Sequence, residues 1–289
     1  MLLAELYQDT LHRLSQAGIE SAHNDTDLIL GYCLEMTRSQ LFLYPHKEIG
    51  PAKLARCLEL VRRRVGREPL HYILGTREFW SKDFVVSPAV LIPRPETEFL
   101  LEYVLRTLSV FGYKGGPIID MCTGSGVIAV VLALELDADK VLAVDRFEDA
   151  LKIAAVNVAR HAKKKRIALV ASDLFSAIYP QAVYEVIVSN PPYIADGEIE
   201  GLEPEVHGWE PRSALVAGEE GLDIVKRLSD QAPLYLKPGG WLFVEIGAGQ
   251  KNSVHSMFAY HSTGKYEHVD VIEDWSGRPR ILQARIKGL

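Results

Sequence analysis

The chain has 289 residues, which is enough for one large domain or for a large and a small one. Its composition, 48% hydrophobic and 24% charged, is typical of a globular protein that buries a full core. The formal net charge of −6 argues against a global basic field for nucleic acid, and we expect the basic runs at 62–67 and 163–166 to be solvated.

The first 70 residues show helical periodicity and no strand pattern, because apolar residues recur every three or four positions. We interpret residues 1–73 as a helical domain that recognises the substrate. Its predicted helices are Leu3–Leu14, a second that is capped by Asn24 or Asp25 and runs to Leu34, and Pro51–Gly66.

The sequence pattern changes in residues 74–94, where two short β-rich segments flank a polar turn. Glu78–Trp80 and Phe84–Val86 predict a β-hairpin that links two domains. A helix should then begin at Pro95, with acidic residues in its first turn where the helix dipole favours them. We take residues 95–289 as the second domain.

Strands and helices alternate in this second domain, which predicts an α/β fold with a doubly wound, mainly parallel, seven-stranded Rossmann-like sheet. The last two strands have no long helix between them and should pair antiparallel at an edge. The predicted strands are Pro117–Met121, Val141–Val144, Ile167–Val170, Val183–Ser189, Trp241–Ile246, Val269–Ile272 and Arg280–Ile286. The helices predicted between them are Val127–Glu135, Asp149–Arg160 and Leu222–Leu236.

A glycine-rich turn, DMCTGSG, lies between the first of these strands and an apolar helix. Gly124 and Gly126 would let the backbone turn tightly and approach a ligand closely. Together with Ala129 they also satisfy the loose dinucleotide-binding pattern. Both NAD and S-adenosyl-L-methionine (SAM) are therefore candidate ligands.

Acidic residues follow three of the strands and favour SAM over NAD. Asp145 ends the second strand, where a carboxylate can accept hydrogen bonds from both hydroxyls of a ribose. Asp120, before the turn, suits the cationic sulfonium and ammonium of SAM better than a pyrophosphate. Asp173 could reach the adenine amino group, or could instead cap the turn that follows it.

The segment SNPPYI follows the fourth strand and offers hydrogen-bond acceptors with few donors. Pro191 and Pro192 lack an N–H, and Asn190 adds a side-chain carbonyl. Beside the aromatic ring of Tyr193, these acceptors suit a planar –NH₂ on a conjugated system, as in adenine, cytosine or a carboxamide. Two acceptors would hold such a nitrogen and stabilise the positive charge that develops there during transfer.

The ordered motifs DxxTGSG, AVD, SDLF and NPPY make the chain resemble class I SAM-dependent amino-methyltransferases, and more closely the release factor glutamine N5-methyltransferases (the PrmC/HemK family). The resemblance covers nearly everything after residue 65. It extends over REPLHYILG at 67–75, LIPRPETE at 91–98, EPRSALVAGEEGL at 210–222, PGGWLFVEIGAGQ at 238–250 and DWSGRPRIL at 274–282.

The resemblance implies methylation of the glutamine in the Gly-Gly-Gln motif of class-1 peptide release factors, with SAM converted to S-adenosyl-L-homocysteine. It implies a SAM site at Asp120, Thr123, Gly124, Gly126, Asp145, Asp173, Leu174 and Asn190. It implies a glutamine site, with catalytic Asn190, Pro191 and Tyr193, at Asn190, Pro191, Pro192, Tyr193, Arg94 and Glu96. Phe79 and Trp80 would border the cleft or pack in the core, and Cys122 stands where many members carry glycine.

Three alternatives stay open. A ribosomal-protein glutamine methyltransferase would share NPPY, although PRPETE is similar to the release-factor branch. An adenine-N6 DNA methyltransferase also acts on a conjugated –NH₂, but it needs basic surface for the duplex. A SAM-binding or NAD-linked protein without this catalysis would not need the acceptors of NPPY.

Cysteine usage and the ends of the chain bear on its compartment. The three cysteines are too few and too scattered for a disulfide framework or a zinc site, so we expect no metal and a reducing compartment. The first residues carry early acids and no signal-peptide pattern, and the longest apolar run, 127–134, is too short to span a bilayer. We therefore expect a cytoplasmic protein with a protein substrate, no direct nucleic-acid partner and no membrane partner.

Overall fold

The computed structural model describes residues 1–136, 138, 140–162, 166–261 and 264–288, so residues 163–165 of the second basic run lie outside the described residues. The chain divides into two compact units. One consists of Met1–Thr76 with Glu203–Trp209, and the other of Arg77–Leu202 with Glu210–Leu289.

The helices are α1 (Leu3–Gln16), α2 (Ala22–Leu34), α3 (Arg38–Leu43), α4 (Pro51–Val65), α5 (Leu70–Leu74), α6 (Pro95–Val110), α7 (Val127–Glu135), α8 (Glu148–His161), α9 (Pro204–Trp209), α10 (Asp223–Gln231) and α11 (Lys251–Ser256). The seven predicted helices are present, and four short helices that the sequence pattern did not predict, α3, α5, α9 and α11, occur as well in the described residues. Short 3₁₀ turns occur at Asp196–Gly201, Arg212–Ala214, Ala232–Leu234 and Ala248–Gln250, and a π-type turn at Met257–His261.

The first unit is a helical bundle around an apolar core that includes Leu6, Leu30 and Val61. Its buried groups include charged side chains. Arg64, expected to be solvated, is 6% exposed and donates to Asp25 Oδ2 at 2.7 Å and to Glu205 Oε1 at 2.9 Å. The solvated interpretation of this arginine is therefore wrong, because two carboxylates compensate its burial.

Two differences in the helices have local causes. Helix α2 begins at Ala22 and not at Asn24 or Asp25, since Asp25 turns its carboxylate to Arg64 instead of capping a helix. Helix α10 ends at Gln231, five residues before the predicted Leu236. Pro233 forms part of the 3₁₀ turn that follows, and Leu236 already opens the next strand.

The predicted hairpin is present as a two-stranded sheet of β1 (Thr76–Phe79) and β2 (Lys82–Val85). Trp80 and Ser81, between the strands, have φ angles of 53° and 54°. Two successive residues with positive φ are the signature of a tight turn whose twist matches the twist of its strands.

The second unit contains the predicted doubly wound sheet, with seven strands in the described residues in the order β5-β4-β3-β6-β7-β9-β8. The strands are β3 (Ile118–Met121), β4 (Val141–Asp145), β5 (Ile167–Ala171), β6 (Tyr184–Ser189), β7 (Leu236–Glu245), β8 (Tyr266–Glu273) and β9 (Pro279–Ile286). The first five are parallel to one another, and β9 pairs antiparallel with both β7 and β8. The fold class and the antiparallel edge are confirmed.

Side chains that alternate along the strands supply an apolar core on each face of the sheet. Ile118 and Phe243 lie in one core, and Ile119 and Leu242 lie in the other. Strand order reverses between β3 and β6, because the chain runs outward from β3 through β4 to β5 and then returns to β6 on the other side. Ligands of open α/β sheets bind beyond the carboxyl ends of the strands at such a switch point.

Candidate functional site

A cavity in the second unit opens at this switch point, and segments that follow four parallel strands line it. The sequence-predicted residues among those that line it are Thr123, Gly124, Asp145, Asp173, Leu174, Asn190 and Pro192. The predicted residues Asp120, Gly126, Pro191, Tyr193, Arg94 and Glu96 are not among the described residues that line it.

The loop between β3 and α7 needs left-handed backbone at three positions. Gly124 and Gly126 have φ angles of 53° and 81°. A Cβ on Gly126 would also come within 3.1 Å of Ala154 Cβ on α8, so glycine is needed there for two reasons. Cys122 has φ of 62°. This left-handed backbone conformation suits glycine and strains a residue that carries a Cβ, such as cysteine.

Asp120 lies beneath this loop and is fully buried. Its Oδ2 accepts hydrogen bonds from Thr123 Oγ1 at 2.5 Å and from Ala129 N, in the first turn of α7, at 2.9 Å. Among the described residues Oδ1 has no partner. Burial raises the pKa of Asp120 to about 7, against the opposing effect of these hydrogen bonds.

Asp145, at the end of β4, is the acidic residue in the cavity wall whose carboxylate is fixed by backbone groups. Gly124 N donates to its Oδ2 at 2.8 Å, and Phe147 N donates to its Oδ1 at 3.0 Å. Burial raises its pKa. Each oxygen retains acceptor capacity for a further donor, so the carboxylate can hold a diol in a fixed orientation.

The segment after β5 contributes Asp173 and Leu174 to the cavity wall. The Asp173 carboxylate pairs with Arg227 at 2.9 Å and is not the cap of the following turn. That turn is capped by Ser172, whose hydroxyl accepts a hydrogen bond from Ala177 N at 2.9 Å. Leu174, with φ of 52°, turns the chain and buries its side chain.

Asn190 follows β6 and has a fixed amide orientation. Its Nδ2 donates to Thr97 Oγ1 at 2.9 Å, and Thr97 Oγ1 donates to Glu245 Oε2 at 2.8 Å. Within the described residues no donor reaches Asn190 Oδ1, and Asn190 lines the cavity. The site therefore presents an amide carbonyl oxygen with a free lone pair.

Tyr193 is not among the described residues that line the cavity, and burial raises the pKa of its hydroxyl. Charged neighbours of this ring are Glu245, Arg280, Glu96 and Arg94. Its backbone carbonyl accepts a hydrogen bond from Gln250 Nε2 at 2.8 Å. Gln250 thus holds the end of the NPPY segment in place.

The PRPETE segment is tied down by ion pairs. Arg94 pairs with Glu210 at 2.5 Å, and Glu210 also accepts from Ile92 N. Glu96 pairs with Arg280 at 3.4 Å, and Arg280 pairs in turn with Asp274. These contacts tie the LIPRPETE segment to both the EPRSAL and the DWSGRPR segments.

The two aromatic residues of the hairpin support the fold. Phe79 is 2% exposed in the core and meets Phe84 edge to face. Trp80 packs against the same core and donates from Nε1 to Glu135 Oε1 at 2.9 Å. Neither is among the described residues that line the cavity.

Sequence reasoning missed Thr97 and Glu245. Thr97 is part of PRPETE, but nothing in that motif distinguishes a hydrogen-bonding threonine from an ordinary helical one. Glu245 had a visible signal, because an acid in the apolar run WLFVEI has the same pattern as Asp120 and Asp145. Burial raises the Glu245 pKa to about 7.

The described residues contain no group of His, Cys, Asp and Glu side chains suited to hold a metal ion. No helix formed by these residues has the length and apolar character needed to span a membrane.

Comparisons with known proteins agree with this geometry. A family model described as the PrmC N-terminal domain matches residues 5–75, and one described as the methyltransferase small domain matches residues 95–202. A methyltransferase of known structure from Pyrococcus furiosus shares the fold, with a TM-score of 0.52 and 19% identity over 73% of this chain and 91% of that chain.

Two relatives are similar over nearly their whole length. A release factor glutamine methyltransferase of Koribacter versatilis is 40% identical over 285 residues, 99% of each chain. One of Geobacter sulfurreducens is 41% identical over 273 residues, 94% of this chain and 93% of that protein. The chain therefore belongs to the release factor glutamine methyltransferase family.

Proposed function

We propose that this chain transfers the methyl group of SAM to the side-chain amide nitrogen, N5, of the glutamine in the Gly-Gly-Gln motif of class-1 peptide release factors. S-adenosyl-L-homocysteine is the second product. The names of the relatives support the substrate class. The orientation of the Asn190 amide carries the proposal for the reacting group.

Asn190 and Pro191 hold the amide to be methylated. Because Asn190 Nδ2 is bound to Thr97, its Oδ1 is left to accept a hydrogen bond from the substrate –NH₂. The Pro191 carbonyl is assigned the second hydrogen of that group. Two acceptors fix the nitrogen in position and stabilise the positive charge that develops on it, which is where positioning lowers the barrier.

The chemistry of an amide explains why acceptors suffice. Its nitrogen is a weak nucleophile because the lone pair is delocalised into the carbonyl group. The N–H becomes acidic only as the new N–C bond forms, so no base is required before transfer, and the proton leaves afterwards to water. Tyr193 is assigned to pack beside the flat amide, and Arg94 and Glu96 to border the glutamine site.

The residues around the cavity fit SAM, which supplies an electrophilic methyl group on a sulfonium when bound. Asp145 is assigned to the ribose diol, since its carboxylate is fixed by two backbone donors and keeps acceptor capacity. Thr123, Gly124 and Gly126 shape the loop around it. Asp173 and Leu174, which line the same cavity, are assigned to the adenine side.

The position of Asp120 favours SAM over NAD. Its carboxylate already accepts the hydrogen bond of Ala129 N in the first turn of α7. A pyrophosphate would need such N–H groups and a helix terminus free of other anions. An acid at this place instead favours a cationic ligand.

Substrate recognition is assigned to the helical unit at residues 1–73. Consecutive apolar side chains there, Phe42, Leu43 and Tyr44, are 57%, 70% and 53% exposed.

Leu43→Asp should raise KM for the release factor and leave the SAM Kd unchanged, with Val110→Asp as a matched exposed control. An unchanged KM would remove this surface from the proposal. A point variant is preferable to deletion, because Glu205 would lose Arg64.

Labelled methyl transfer from SAM tests the function. A purified release factor, its Gly-Gly-Gln→Gly-Gly-Ala variant, a ribosomal protein and duplex DNA are offered in parallel. Label on the wild-type factor alone supports the proposal. Label on DNA would mean that the acceptors hold a base, and label on the ribosomal protein would move the enzyme to the other glutamine branch.

A further inference from the structure

We propose that Thr97 and Glu245 are positioning residues, and that Glu245 determines, through Thr97, which end of the Asn190 amide faces the reacting nitrogen. This inference rests on the proposed function. Thr97 lines the cavity and is assigned to act through Asn190, whereas Glu245 is not among the described residues that line it.

The three side chains form one hydrogen-bonded chain. Asn190 Nδ2 donates to Thr97 Oγ1 at 2.9 Å, and Thr97 Oγ1 donates to Glu245 Oε2 at 2.8 Å. Thr97 is 2% exposed and Glu245 is 1% exposed, so water does not replace either partner. Buried polar chains of this kind have few alternatives to the bonds they make.

The direction of the chain follows from donor and acceptor capacity. An ionised carboxylate only accepts, so the single hydroxyl hydrogen of Thr97 must point to Glu245. The Thr97 oxygen then has only lone pairs left for Asn190, which selects the Nδ2 end of the amide. With the hydroxyl free to turn, it could donate to Asn190 Oδ1, and the reversed amide would present –NH₂ to the –NH₂ of the substrate.

The fold brings these residues together from distant parts of the chain. Strands β6 and β7 are parallel neighbours, with Ser189 paired to Val244, so the residues that follow, Asn190 and Glu245, lie at the same edge. Thr97 occupies the first turn of α6, which Pro95 opens. Thr97 and Glu245 thus lie in regular elements and Asn190 directly follows one, which suits a group that must be positioned accurately.

The charged surroundings of Glu245 make its ionisation sensitive to pH. Its pKa is raised to about 7, mainly by burial and also by Glu96, while the Thr97 hydrogen bond, Arg280 and Arg94 oppose the rise. The Tyr193 hydroxyl is the other titratable group that faces it. Below about pH 7 the protonated carboxyl becomes a donor, and the direction of the chain is no longer fixed.

Thr97→Val and Thr97→Ser separate the hydroxyl from the shape of the side chain. At saturating SAM, Thr97→Val should lower kcat about 10- to 100-fold, because misplacing a group at the reacting centre can slow a reaction by about this factor. Thr97→Ser should restore most of that loss, and the SAM Kd should stay within about twofold in both. Equal kcat in wild type and Thr97→Val, or no rescue by serine, would overturn the proposal.

Glu245→Gln tests whether the ionised carboxylate sets the direction of the hydrogen-bonded chain, because glutamine can still form a hydrogen bond there. It is also a second test of the proposal if Thr97→Val does not fold. Wild-type kcat should decline below about pH 7, and Glu245→Gln should have a low kcat without that decline. Asp120 has a pKa near the same pH but is assigned to the cofactor side. Measuring kcat at saturating SAM therefore excludes an effect of Asp120 on SAM binding. The same acid limb in both proteins would contradict the role of Glu245.

The proposed function and this inference fail in different ways. If wild type does not methylate the release factor, the function is wrong. If wild type is active and the variants match it in kcat and in pH profile, the function stands and the positioning role is wrong.

Discussion

The cofactor half and the amide half of the site are built in opposite ways. The cofactor half is local in sequence: Asp120 binds Thr123 and Ala129, three and nine residues away, and Asp145 binds Gly124, 21 residues away. The amide half joins Asn190 to Thr97 across 93 residues, and Thr97 to Glu245 across 148.

This difference predicts which property, SAM affinity or turnover, a substitution in each half should change. A change in the proposed cofactor half disturbs loops that follow neighbouring strands and should alter affinity for SAM. A change in the amide half disturbs a side chain whose orientation depends on three separate elements, and should alter turnover. Substitutions in the two halves should therefore separate kcat from Kd.

The largest effect is expected in the amide half. Asn190→Ala removes the acceptor for the substrate –NH₂ and should lower kcat about 10²- to 10³-fold, the usual cost of one preorganised group at a charge that develops in the transition state. The SAM Kd, from isothermal titration, should be nearly unchanged. Near-normal turnover would remove Asn190 from the mechanism.

The complementary change lies in the cofactor half. Asp145→Asn keeps the size of the side chain but replaces one acceptor oxygen by a donor, and should raise the SAM Kd about tenfold, as expected for the loss of a charge-assisted hydrogen bond. At saturating SAM its kcat should stay close to wild type. An unaltered Kd would contradict the ribose assignment.

At Asp120 we expect a smaller effect on the SAM Kd and a pH-dependent effect on the free energy of unfolding. Its pKa is raised from 3.8 to about 7, so the native state binds this proton more tightly than the unfolded chain. This group therefore lowers the free energy of unfolding as pH rises from about 4 to about 7, and the stability it confers in the protonated form is lost there.

Asp120→Asn removes this titration while keeping an acceptor for Thr123 and Ala129. Relative to wild type, the variant should gain stability between about pH 5 and pH 8, by on the order of a few kcal/mol. Urea unfolding at both pH values measures the gain. A difference that does not change with pH would show that Asp120 does not titrate in this range. Its SAM Kd should change less than that of Asp145→Asn, because Asp120 is not part of the described cavity wall.

The same contrast explains how much the sequence could predict. Alternation of apolar strands and helices is local, and so the doubly wound sheet with its antiparallel edge was predicted. Asp145, Gly124 and Asn190 were found because each follows a strand whose carboxyl end must lie at the site. Their assigned roles remain predictions.

What the sequence could not predict depends on pairing over long distances. Arg64 has the pattern of a solvated helix face, and only the fold brings Asp25 and Glu205 to it. Thr97 is an ordinary helical residue until α6 places its hydroxyl between Asn190 and Glu245. Burial and partners, and not residue type, distinguish these positions.

Tandem mass spectrometry of the release factor after incubation with enzyme and SAM would locate the methyl group on a single atom. We expect one added methyl group, on the side-chain nitrogen of the Gly-Gly-Gln glutamine, and almost none when Asn190→Ala replaces the wild-type enzyme. A methyl group on any other atom, or equal modification by Asn190→Ala, would contradict this expectation.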